Sequence, residues 1–160
     1  MDHLWSPWRY SYVSKAEPAG VCLFCQKSSE RKDEENFIVH RGQGNFIILN
    51  LYPYTTGHVM IAPYAHVATI EETPEATLVE MILLARQAEK HLRAIYRPQG
   101  LNVGMNVGEC AGAGVAGHIH LHVLPRWPGD VNFMTATGET RVLPEDLGLT
   151  FEKLSKAFRG

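Results

Sequence analysis

The sequence predicts an α+β fold: a mostly antiparallel five-stranded sheet with one long helix and a short C-terminal helix. Three observations predict it. Five short runs rich in β-branched and aromatic residues are separated by turn residues. One long stretch between the third and fourth runs repeats its apolar residues at helical spacing. The order, strands then one helix then strands, is not the alternation that builds a parallel sheet.

Each element follows in chain order. Residues 1–20 carry Trp5, Trp8, Tyr10 and Tyr12 with Pro7 between the tryptophans. They read as an aromatic arm that packs on the body or on a second subunit. Cys22 and Cys25 form a C-x-x-C, and the polar run QKSSERKDEE at 26–35 reads as a solvated loop. Asn36 to Arg41 and Asn45 to Leu51 are strand-like, and Gly42-Gln43-Gly44 between them makes a hairpin. Tyr52 to Gly57 is a turn and His58 to Pro63 a third strand.

Thr73-Pro74 opens a helix, a capping hydroxyl before a proline at the first position. Leu78, Met81, Ile82, Ala85, Ala88, Leu92, Ile95 and Tyr96 give it an apolar stripe that reads as core. Pro98-Gln99-Gly100 ends it. Leu101 to Val107 and His118 to Leu124 are the fourth and fifth strands, joined by a Gly/Ala loop. The tail, 126–160, is an irregular extension with a short helix from Thr150 to Phe158. One helix leaves a sheet face or edge poorly covered, and a homodimer would cover it.

The 160 residues suit a single domain, 1–160, with a real core. Apolar content of 45% and charged content of 20% exclude a disordered chain. A formal net charge of −2 gives no broad basic surface, so a nucleic-acid partner is not expected. The start, MDHLWSPWRYSY, lacks a basic stretch followed by an apolar one, and no run approaches a membrane span. A cytoplasmic protein with no membrane partner is expected. In a reducing compartment, Cys22 and Cys25 read as metal or redox ligands, or as two buried thiols, rather than as a disulfide framework.

The densest chemistry lies in Gly117-His118-Ile119-His120-Leu121-His122-Val123, which holds three of the eight histidines at alternate positions. On a strand these share one face, while Ile119, Leu121 and Val123 share the other. Three readings compete: a polar face with incidental histidines, a catalytic zinc site built on H-x-H, or nucleophilic catalysis by histidine. The residues after the run, Val123 to Trp127, offer no carboxylate ligand. The preceding loop, Gly108 to Gly117, is nearly free of bulky side chains, so its amides can approach an anion, though such composition also marks a connector. Loop and histidines together point to phosphorus chemistry. A neutral imidazole can attack phosphorus and form a phosphoramidate that a second acceptor resolves.

His118-Ile119-His120-Leu121-His122-Val123-Leu124 resembles the signature of the histidine triad (HIT) family. The resemblance is nearest the fragile-histidine-triad and diadenosine tetraphosphate phosphorylase branch, and covers most of the chain. Leu4-Trp5-Ser6-Pro7-Trp8-Arg9 resembles its arm, and Asn50 with Thr56 to Pro63 its "N…GHxLxxP" block. The resemblance implies a HIT-like fold and a nucleotide-processing enzyme. That enzyme would cleave dinucleoside polyphosphates at the α-phosphate through a nucleotidyl-histidine, by hydrolysis or phosphorolysis. Adenosine phosphoramidate hydrolysis and nucleotide-binding signalling with little turnover are its alternatives. It makes His120 the nucleophile, has His122 contact the phosphate or leaving group, and sets His58 behind them. Asn50 would hold the ribose and Asn106 lie on the leaving-group side. Gly112, Ala113, Gly114 and Val115 would hold phosphate oxygens by their amides. Arg126 is a further candidate for the polyphosphate, with which Mg2+ could be bound. Ala113-Gly114 departs from relatives that carry Gln followed by Ser or Thr there. Relatives with the C-x-x-C combine it with two histidines, here His66 and His118, as a structural Zn2+ site with Cys22 and Cys25. His3, His40 and His91 read as surface or packing residues.

Overall fold

The computed structural model describes residues 21–130 and 143–160, so the aromatic arm and His3 lie outside the described residues. The chain after Val21 is helical where the charged composition suggested a loop. Helix α1 spans Leu23–Ser29 and the single turn α2 spans Asp33–Asn36. No side chain caps α1. Tertiary burial supports it instead, through Phe24, which is 1% exposed. Phe37 then turns the chain in the left-handed region, φ 56°, into the sheet.

The sheet has five strands, β1 (Ile38–Arg41), β2 (Asn45–Leu49), β3 (Val59–Pro63), β4 (Gly100–Met105) and β5 (Leu121–Arg126). All neighbours are antiparallel, in the spatial order β1-β2-β3-β5-β4. The first pairing carries a bulge between Ile38 and His40. Alternation gives the sheet two buried faces. One carries Val39, Ile47, Leu49, Val59, Ile61, Leu121 and Val123. The other carries Ile38, Phe46, Ile48, Met60 and Ala62, with Phe24 of α1 packed among them. The face expected to be bare is therefore partly covered by the helix that the sequence reading missed.

Helix α3, Glu75–Tyr96, lies on the first face. Its buried residues are Met81, Leu84, Ala85, Ala88 and Leu92. Ile82, expected in the core, is 58% exposed, and Leu84, not expected there, is buried. Full burial of one such side chain stabilises by roughly 1.5–3 kcal/mol, so packing rather than capping holds this helix. Thr73 does not cap it; its hydroxyl donates to the Thr69 carbonyl at 2.7 Å, and Pro74 is the boundary residue. At the other side of the helix, Glu80 accepts from the amides of Gln43 (2.6 Å) and Gly44 (2.7 Å), fastening the β1–β2 hairpin. The C-terminal helix α4, Leu147–Arg159, starts before Thr150 because Asp146 caps it, accepting from the Leu149 amide at 2.9 Å. It packs on β1 and α3, burying Leu154 in the first core. His40 and His91 both set their rings against Phe158, which makes them packing residues. Among the described residues no helix is long and apolar enough to cross a membrane.

Candidate active site and metal centre

Strand β5 begins at Leu121, three residues later than expected, so of the three histidines only His122 sits in the ladder. The amide of Ile119 instead donates to the Val67 carbonyl at 2.8 Å. This holds the segment before β5 against the loop after β3. The alternation survives: Leu121 and Val123 enter the first core, and His122 lies opposite Met60 on the second face. His58, at the start of β3, reaches the same face. Gly57 precedes it with φ 80°, and a Cβ there would come within 3.0 Å of the Leu92 side chain. Only glycine tolerates both the left-handed backbone and that approach.

The hydrogen bonds assign the imidazole tautomers. The Tyr54 amide can only donate, and it meets His58 Nδ1 at 3.2 Å. His58 therefore carries its proton on Nε2, which lies 2.9 Å from His122 Nδ1. His122 accepts there and keeps its own proton on Nε2. His120 is the opposite. Its Nδ1 lies 2.8 Å from the His118 carbonyl, an acceptor only, so Nδ1 is protonated and Nε2 holds the lone pair. His118 donates Nε2–H to the Pro63 carbonyl at 2.9 Å, which frees its Nδ1. One ring thus presents a lone pair and its neighbour an N–H donor. The rings of His120 and His122 are 4.9 Å apart at their centroids.

Burial keeps these rings neutral. It lowers the pKa of His120, and it lowers that of His122 to about 4, with His120 adding to the second effect. The unfolded chain titrates His122 near ~6.5, so between that value and about 4 the unfolded state binds more protons. Stability then rises with pH across this window and falls as pH is lowered through it. His122 accounts for on the order of 2 kcal/mol after allowing for its partly open edge. Urea unfolding at pH 7 and pH 4.5 should show a lower midpoint at the acid pH, with a smaller drop in His122→Asn. Equal drops in both proteins would count against it.

The other predicted residues are unevenly placed. Asn50 is buried beside His58, its backbone amide donating to the His58 carbonyl at 3.1 Å and its side-chain oxygen accepting from the Tyr52 amide at 2.9 Å. Asn106 reaches the loop, donating to the Gly112 carbonyl at 3.4 Å. A short 3-10 turn, Glu109–Ala111, occupies the start of that loop. The amides of Gly112 and Ala113 are used within it, on the Glu109 and Gly108 carbonyls. Among the described residues no acceptor meets the amides of Gly114 and Val115. Arg126 is committed elsewhere. Its guanidinium holds Asp130 through two bonds, 2.6 and 2.9 Å, and Asn102 at 2.7 Å. That bidentate pair occupies the Nε and Nη2 edge of the guanidinium, so a polyphosphate would meet an arginine already paired with a carboxylate.

Behind the triad, Cys22, Cys25, His66 and His118 bring four ligand atoms within 4.8 Å of one another. A tetrahedral zinc centre places sulfur and nitrogen ligands roughly 3.5 Å apart. Cys22 Sγ to His118 Nδ1 is 3.3 Å, Cys25 Sγ to His66 Nδ1 is 3.4 Å and Cys25 Sγ to His118 Nδ1 is 3.6 Å. The His118 Nε2–H bond to Pro63 is the outer support that metal-bound imidazoles use. Burial and the neighbouring Cys22 both raise the Cys25 thiol, so two thiolates here call for a cation. The donor set fits Zn2+.

Sequence reasoning missed two contributors. The Tyr54 amide that sets the relay carries no side-chain signal. Phe24, packed on both His118 and His120, is marked only by standing between the two cysteines.

The fold and these blocks recur in known proteins. An AP-4-A phosphorylase from Mycobacterium tuberculosis is 37% identical over 152 residues, 91% of this chain and 78% of that protein. The structure of a zinc-bound histidine triad family protein from Mycobacterium smegmatis gives a TM-score of 0.69 at 27% identity. It covers 86% of this chain and 93% of its own. A hypothetical histidine triad nucleotide-binding protein from Sulfolobus tokodaii gives 0.70 at 25% identity, covering 86% and 92%. The HIT domain matches residues 31–129, a span that runs from α2 through the triad to the end of β5. The histidine run, the five-stranded antiparallel sheet that carries it and these likenesses agree: the chain belongs to the HIT family.

Proposed function

We propose that this protein cleaves dinucleoside polyphosphates such as diadenosine tetraphosphate, with inorganic phosphate as the acceptor. The observation that carries the reading is the opposed pair of tautomers, a lone pair on His120 Nε2 beside a proton on His122 Nε2. His120 Nε2 attacks the α-phosphorus, and the bond to the bridging oxygen breaks. The leaving nucleotide departs as a phosphate oxyanion, held by a hydrogen bond from the Nε2–H of His122, which keeps its proton. A phosphate oxygen then attacks the same phosphorus, the N–P bond breaks and its electron pair returns to His120 Nε2, and the proton of the incoming phosphate is lost to water from the product. Diadenosine tetraphosphate and phosphate thus give ADP and ATP. Asn50 holds the ribose, and the amides of Gly114 and Val115 hold phosphate oxygens, as they suit an anion nest. Mg2+ accompanies the polyphosphate. The name of the Mycobacterium tuberculosis relative supports phosphate over water.

Zinc on Cys22, Cys25, His66 and His118 is structural in this reading. It ties α1 to the segment before β5 and takes no part in a step. The likeness to a zinc-bound HIT structure supports it. The protein acts as a homodimer in the cytoplasm. Strand β4, at the sheet edge with Val103 52% exposed, is suited to pair with a second copy.

Product analysis with diadenosine tetraphosphate tests the reaction. ADP and ATP in equal amounts, formed only when phosphate is added, are expected. AMP and ATP without phosphate would make water the acceptor. No product from this substrate, with ammonia released from adenosine 5′-phosphoramidate, would replace the reading with phosphoramidate hydrolysis.

A further inference from the structure

The imidazole of His120 must be held more firmly than one hydrogen bond allows. The Nδ1–H bond to His118 fixes one edge of the ring and leaves it free to tilt about that edge. His122 meets it edge-on, at 70°, from one side. A third wall is needed, and Phe24 supplies it. Phe24 is 1% exposed, with its ring centroid 4.9 Å from His120 and 5.1 Å from His118. Its ring lies tilted at 41° to His120, and the ring of Phe46 packs edge-on against it at 6.4 Å. Its backbone lies between Cys22 and Cys25, whose sulfurs both face His118. The wall is therefore anchored at both ends by the groups that fit the metal.

We propose that Phe24 is a positioning residue for the nucleophile: its flat, buried ring, pinned by the C-x-x-C, holds the His120 imidazole at its attacking angle. The proposal rests on His120 being the nucleophile. In-line attack tolerates little error, and a displacement of ~1 Å costs about a hundredfold in rate. A leucine at this position keeps most of the apolar volume but presents no flat face.

The test compares wild type, Phe24→Leu and Met81→Ala, each purified without chelator and checked for zinc. Met81 is buried in the core on the other sheet face and touches neither histidine pocket, so its variant controls for lost stability. Two readouts are taken. The first is kcat and KM for diadenosine tetraphosphate with phosphate. The second is the imidazole Nδ1–H proton of His120 in 15N-edited NMR, which reports the ring's hydrogen bond without turnover. Phe24→Leu should lower kcat about tenfold or more with KM within twofold, and should shift that proton and speed its exchange. Met81→Ala should leave both unchanged. Equal losses of kcat in the two variants would overturn the proposal, as would a raised KM at unchanged kcat, which would make Phe24 a wall of the nucleotide pocket. If wild type transfers no nucleotidyl group, the proposed reaction fails. The proton signal then decides alone whether Phe24 sets the ring, and an unmoved signal rejects it.

Discussion

His120→Ala should lower kcat for diadenosine tetraphosphate by roughly 10⁴-fold or more while the protein stays folded. The reasoning starts from the lone pair. Of the three triad histidines, His120 alone is buried, neutral and hydrogen-bonded so that Nε2 carries the lone pair and no intramolecular bond. His122 and His58 are committed to a chain that begins at the Tyr54 amide and ends in a proton on His122 Nε2. Reversing that polarity would require the Tyr54 amide to accept, which it cannot. His122 therefore cannot substitute as nucleophile without losing a hydrogen bond of that chain. The substitution also orphans the His118 carbonyl, a loss of about 1–3 kcal/mol, so unfolding must be measured beside activity. His122→Ala should cost less, on the order of 10²–10³-fold, because it removes one hydrogen-bond donor to the departing oxygen and leaves the attacking group. A covalent trap separates the two. Wild type quenched during turnover should carry a nucleotidyl group that is stable to alkali and labile to acid, as an N–P bond is. His122→Ala should form it more slowly and His120→Ala should show none. A fully active His120→Ala would remove His120 from the reaction.

The triad was readable because its chemistry sits in one seven-residue run whose alternation survives even where the ladder does not. The β1–β2 hairpin and α3 were readable because their signals are local: glycines at a turn and a long helical period. The phase of α3 was not. Apolar residues stand at 78, 79 and 81–84, so two stripes fit equally, and only the sheet beneath selects Leu84 over Ile82. Helix α1 was hidden because its sequence is mostly polar and its one buried anchor, Phe24, gains its value from a core formed by distant strands. The partners of Arg126 were only half legible: Asp130 stands four residues on, while Asn102 reaches it only when β4 and β5 pair. The four metal donors were named through the resemblance, since nothing local links His66 to Cys25 across 41 positions.

Losing the metal should cost the protein more stability than losing its nucleophile. Cys25→Ser is expected to purify without zinc and to unfold at a midpoint lower by ~10 °C or more. Structural zinc binds ligand peptides with about 10–16 kcal/mol, and only part of that is returned by ligand flexibility in the unfolded chain. For a chain of this length about 1 kcal/mol moves the midpoint by roughly 2–4 °C, so retaining even a quarter of the binding energy accounts for the shift. The geometry says where the damage spreads. Cys22 at the start of α1 and Cys25 in its first turn flank Phe24, and His118 supplies the carbonyl that holds His120. Freed of the metal, α1 keeps little to hold it, since no side chain caps it and Phe24 is its one buried residue. Activity should then fall along with stability, whereas in His120→Ala activity falls by far more than the about 1–3 kcal/mol of stability lost with its hydrogen bond. His66→Ala should be milder, because His66 is exposed and three ligands remain. Alkylation supplies the independent check. Cys110 is exposed and should react in every sample, which makes it the internal reference. In wild type Cys22 and Cys25 should resist iodoacetamide until a chelator is added. If wild type purified without chelator holds no zinc, and all three thiols react at one rate, the four donors are a chance cluster and α1 is held by Phe24 alone.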